Sequence, residues 1–111
     1  MDSLDLASKH CKPCEGGTAP FKKEEYQPYL KSVPKWKDVE GKTIERNFKF
    51  ENFKHALDFV NKVGAIAEEE GHHPDIYLHS FNKVKLTLTT HAISGLSEND
   101  FILASKIDKI D

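Results

Sequence analysis

Two adjacent histidines, His72 and His73, stand between Gly71 and Pro74, and a third, His91, closes a strongly β-patterned run further along the chain. Free imidazole titrates near neutrality, so three of them in one site can give and take protons at pH 7. Pro74 pushes His73 into an extended conformation, and consecutive side chains on extended backbone project to opposite sides. One histidine can therefore face a bound molecule while its neighbour lies deeper. Glu68, four residues before His72, is placed to orient an imidazole and favour its charged form.

Other chemistries fit the same residues less well. Neighbouring histidines on extended chain diverge, and the sequence has no His-x-x-x-His pair on a helix, so no metal is expected. Asp100 is the third residue after Ser97, where a carboxylate caps a helix start; capping is its plain role. His55 and His79 read as surface residues, and His10 lies in an N-terminal extension.

These side chains must be positioned by ordinary elements. Phe21 to Val33 has helical spacing, with Pro28 as a kink or a late start near Gln27. Trp36 to Val39 and Thr43 to Phe50 read as a hairpin around Glu40-Gly41, although Arg46 breaks the alternation of Ile44, Phe48 and Phe50. From Asn52 to about Glu69, a stripe of Phe53, Ala56, Leu57, Val60, Val63 and Ala67 predicts a long helix, with Asn52 as N-cap and Gly71 as stop. Asp75 to Phe81 and Lys83 to His91 follow as strands joined at Asn82-Lys83. The end of the second strand would carry His91 back beside His72. Ser97 opens a last helix with Leu103, Ala104, Ile107 and Ile110 facing inward.

The expected class is α+β: a four-stranded antiparallel sheet with three helices on one face, in the order α-β-β-α-β-β-α. Residues 1–20 form an extension and 21–111 a single domain. With sixteen basic and eighteen acidic residues, the formal net charge of -2 offers no field for a phosphate backbone or anionic lipid. Direct nucleic-acid and membrane partners are not expected, and the chain reads as cytoplasmic, with no run of about 18 apolar residues. Cys11 and Cys14 are spaced C-x-x-C, as in a redox pair or half a zinc site with His10. Breaker-rich sequence follows them, which favours a reduced, exposed segment.

The run EGHHPDIYLHSFNKVKLTLTTHAISGLSENDFILASKID resembles the pterin-4a-carbinolamine dehydratase family. The matching features are HHP followed by an acidic residue (Pro74, Asp75), NKV, the alternating strand ending in Thr-His, and Gly-Leu-Ser-x-x-Asp. The resemblance covers roughly residues 22 to 110. It implies the same sheet-and-helix fold, a homodimer or homotetramer, and dehydration of a 4a-hydroxytetrahydropterin to the quinonoid dihydropterin with no cofactor. His72, His73 and His91 match the family's active-site histidines, and Glu68 and Asp100 match acidic residues near the site. His72 and His91 become acid and base candidates, with His73 chiefly holding the pterin. Animal members also serve as dimerisation cofactor of a homeodomain transcription factor, so the alternative is a non-catalytic pterin-binding or interaction module.

Overall fold

Alternation of side chains in two central strands decides which way the sheet faces. In β2 (Thr43–Lys49) and β4 (Lys83–Leu88), Ile44, Val84, Leu86 and Leu88 are fully buried on one side, while Asn47, Lys49 and Lys83 point to solvent. The computed structural model describes residues 6–12 and 19–110. β1 (Lys37–Val39) and β3 (Asp75–His79) complete an antiparallel sheet of order β1-β2-β4-β3, with Ile44 opposite Leu88 and Ile76 opposite Leu86. Three helices, α1 (Lys23–Ser32), α2 (Phe53–Glu70) and α3 (Glu98–Asp108), cover its apolar face. The expected α+β class and order of elements hold.

Arg46, which breaks the alternation of apolar residues in β2, lies on the same inner face. Its guanidinium sits 4.2 Å above the Phe48 ring and pairs with Asp108 at the end of α3, which also accepts from Trp36 Nε1 at 2.9 Å. The inner face thus admits one cation because a carboxylate and a ring receive it.

Several boundaries differ from the sequence expectation. The core-facing stripe of α2 is Ala56, Phe59, Val63 and Ala67, whereas Phe53 and Leu57 are 50% and 41% exposed. The hairpin from β3 to β4 turns through Ser80–Asn82, with Ser80 and Phe81 both at positive φ, rather than at Asn82-Lys83. That strained turn is tied down by Asn82, which donates from Nδ2 to Phe50 O at 2.9 Å and accepts from Phe50 N at 2.8 Å. Pro28 sits inside α1 with its ring exposed, so the helix begins at Lys23 and continues through it.

Ahead of α1, a 3-10 turn at Leu6–Ser8 packs on α3, and Leu6 is fully buried in the core. Among the described residues, no helix is long and apolar enough to cross a membrane.

Candidate active site

Helix α2 delivers the histidine pair. It runs to Glu70, and Gly71 then takes the left-handed conformation (φ 67°), with its N–H on Ala67 O at 2.8 Å, so the chain leaves the helix sharply through His72. A Cβ at Gly71 would meet nothing within 4 Å; backbone conformation alone is what glycine supplies there.

His72 is received by α3. Its Nε2 lies 2.7 Å from Asp100 Oδ1, and the Asp100 side chain is wholly buried. The other oxygen, Oδ2, accepts from Ser97 N at 3.0 Å and from Thr90 Oγ1 at 2.8 Å, and the Thr90 and Ser97 hydroxyls are 2.8 Å apart. Asp100 is therefore both the third helical residue that closes the capping box with the N-cap Ser97 at the start of α3 and the anchor of the His72 imidazole. An ionised carboxylate can only accept, so the His72 nitrogen facing it carries hydrogen and Nδ1 is left to act.

The end of β4 delivers the third histidine. The strand stops at Leu88 instead of running to His91; Thr90 and Gly95 then form an isolated bridge around a 3-10 turn at His91–Ile93. Buried Ile93 and Leu96 root this loop in the core, and His91 stands exposed at its tip. Gly95 has no room for a side chain, because a Cβ would lie 2.6 Å from Pro20 Cβ.

His72, His73 and His91 line one cavity of about 410 Å³ together with Glu70, Gly71, Thr89, Thr90 and residues of the N-terminal segment. Glu68 does not reach His72, as its spacing suggested. It meets His73 instead, Oε2 to Nε2 at 2.6 Å, and both side chains are largely exposed. Pro74 and Asp75 lie outside the lining; Asp75 begins β3 opposite Thr87. Among the described residues, no group of three His, Cys, Asp or Glu side chains is placed to hold a metal ion. One imidazole held by a buried carboxylate, with another exposed across the same cavity, is an arrangement suited to proton transfer near pH 7.

Glu70 escaped the sequence reading. Its side chain is 2% exposed, and its carboxylate accepts from Cys11 N at 2.7 Å and pairs with His10 Nδ1 at 2.9 Å and Lys106 Nζ at 3.6 Å. Burial pushes its pKa up, but the bonds from Cys11 and His10 and the Lys106 charge outweigh burial and hold it below the usual carboxylate range. Three glutamates in the last turn of a helix oppose the helix dipole, and that conflict was the available signal. Cys11 is half-buried, with Sγ 3.6 Å from Asn99 O, while Cys14 lies outside the described residues.

Comparison with known proteins agrees in one direction. The family described as pterin 4 alpha carbinolamine dehydratase matches residues 19–110. A relative from Alkaliphilus metalliredigens is 50% identical over 95% of this chain and 95% of its own, and one from Rubrobacter xylanophilus is 45% identical over 96% and 98%; both are provisionally named pterin-4-alpha-carbinolamine dehydratases. The crystal structure of a transcriptional coactivator/pterin dehydratase from Brucella melitensis superposes with a TM-score of 0.74 at 32% identity, over 80% of this chain and 95% of that one. A pterin dehydratase-like protein identified as a RuBisCO assembly factor in the alpha-carboxysome shares the fold, with a TM-score of 0.55 at 23% identity over 66% of this chain and 84% of that one.

Proposed function

Because the chain belongs to the pterin 4 alpha carbinolamine dehydratase family, we propose that it dehydrates 4a-hydroxytetrahydrobiopterin to quinonoid dihydropterin, a cytoplasmic hydro-lyase step of tetrahydrobiopterin recycling. The observation that carries this reading beyond family membership is that His72, His73 and His91 line one cavity while buried Asp100 fixes His72.

In this reaction the C4a–O bond breaks, the hydroxyl leaves as water after taking a proton, and N5 gives up its own proton. The electrons of N5 close an N5=C4a double bond, so one water is lost and nothing is oxidised. An acid and a base suffice, and each typically contributes about a hundred- to ten-thousand-fold. His72 is the base: Asp100 fixes its tautomer and stabilises the imidazolium formed as Nδ1 takes the N5 proton. His91 is the acid that protonates the leaving hydroxyl. His73, steadied by Glu68, holds the pterin, and Pro74 and Asp75 fix where β3 begins after the histidine pair. No cofactor or metal takes part, and the chain works as a homodimer or homotetramer.

A second reading has one observation in its favour: Phe53 and Leu57 are exposed on α2, as an interaction surface would require. In that reading the chain is a pterin-binding or interaction module, like the coactivator role named for the Brucella protein. Partner capture that depends on Phe53 and Leu57 but is indifferent to His91→Ala would favour it.

The test of the proposed activity is the decay of freshly generated 4a-hydroxytetrahydrobiopterin, followed by ultraviolet absorbance. Purified protein is expected to accelerate it well above the spontaneous rate; no acceleration by folded protein contradicts the proposal.

A further inference from the structure

Four chain segments line the cavity, and one of them belongs to the N-terminal extension. Beside Glu70–His73 and Thr89–Ala92 stand Cys11 and Lys12, and Asn99 joins them from the first turn of α3. We infer that Cys11 and Lys12 are a built wall of the ligand site, held in place by Glu70 and Asn99, and that this wall sets how tightly a pterin is bound. The inference rests on the proposed pterin chemistry of the same cavity.

The fastening is specific. Glu70, its side chain buried, takes the Cys11 N–H at 2.7 Å. Asn99 pairs with Lys12 in both directions, accepting its N–H at 3.0 Å and donating from Nδ2 to its carbonyl at 2.5 Å. Upstream, Leu6 is fully buried, Lys106 Nζ donates to Ala7 O at 2.9 Å, and Lys9 pairs with Glu98 at 2.9 Å. Backbone groups of an exposed segment can be satisfied by water, so anchoring two consecutive residues with buried polar side chains serves a position, not mere solubility. That position is the cavity lining. A wall fixed before the ligand arrives binds it without first having to be ordered. Glu70 and Asn99 are positioning residues, and Cys11 and Lys12 touch the ligand.

The test uses the full chain and two readouts: steady-state dehydration, and equilibrium binding of the unreactive 7,8-dihydrobiopterin. Glu70→Ala and Asn99→Leu are each expected to raise KM and Kd about tenfold with kcat within about twofold, the pattern of lost uniform binding. Glu70→Gln, which keeps an acceptor for Cys11 N, recovers most of the affinity. Asp108→Ala controls for lost stability: it strands Trp36 Nε1 and Arg46 away from the cavity and leaves KM unchanged. If wild type turns over and Glu70→Ala and Asn99→Leu keep its KM and Kd, the wall inference fails alone. If wild type binds dihydrobiopterin without turnover, the dehydratase reading fails and the wall is judged on the Kd ratios. If wild type binds no pterin, both fall.

Discussion

Asp100 touches His72 with one carboxylate oxygen, at 2.7 Å, and the N-terminus of its own helix with the other, through Ser97 N at 3.0 Å. A single buried acid thus ties the start of α3 to the end of α2. The stability of the helix start and the orientation of the His72 imidazole share one side chain.

Asp100→Asn separates these effects. The amide keeps an acceptor for Ser97 N but removes the charge facing His72. It is expected to cost about 1–3 kcal/mol of stability and to lower kcat about ten- to a hundred-fold. Urea unfolding and steady-state kinetics on the same sample check both; full kcat with reduced stability would make Asp100 a cap only.

Two glycines near the site make opposite demands. Gly71→Ala adds no clash and is expected to cost about 1–2 kcal/mol through left-handed backbone alone. Gly95→Ala drives a methyl into Pro20 and is expected to cost about 1–3 kcal/mol, recovered in part by Pro20→Gly. Melting temperatures of the three variants and the Gly95→Ala/Pro20→Gly pair decide it.

Glu70 makes stability depend on acid. Its folded pKa lies below the ordinary value of 4.5, so its stabilisation is complete above about that pH and is lost as pH falls through the folded value. The stability difference between wild type and Glu70→Gln is therefore largest at neutral pH and shrinks below pH 4.5. A difference that stays constant from pH 7 to pH 3 would show that the charge on Glu70 contributes nothing.

The sequence was most informative where structure is local. Alternation located β2 and β4, period and caps located α2 and α3, and the His-His-Pro run located the histidines. The period of α2 was right, and Ala56, Val63 and Ala67 are buried as expected, but Phe59 takes the inner place expected of Phe53 and Leu57. Apolar residues at 53, 56, 57, 59, 60, 63, 66 and 67 make a band wider than the buried face, and the sequence does not say which edge meets the sheet. Pairings across the fold were the hidden part. His72 meets Asp100 rather than the nearby Glu68, because the turn at Gly71 swings His72 toward α3 and leaves His73 beside α2. Arg46 looked like a flaw in β2 until Asp108, from the far end of the chain, supplied its partner. Cys11 and Lys12 read as loose extension because nothing local reveals Glu70 and Asn99 as their anchors.

The most direct test of histidine acid–base catalysis is the dehydration rate of 4a-hydroxytetrahydrobiopterin with His72→Ala, His91→Ala and the double variant, with dihydrobiopterin affinity measured alongside. Each single variant is expected to lose about a hundredfold or more in kcat, while staying folded and binding the pterin within a few-fold of wild type. Variants that turn over at the wild-type rate would contradict the assignment and leave the cavity a binding site without proton-transfer chemistry.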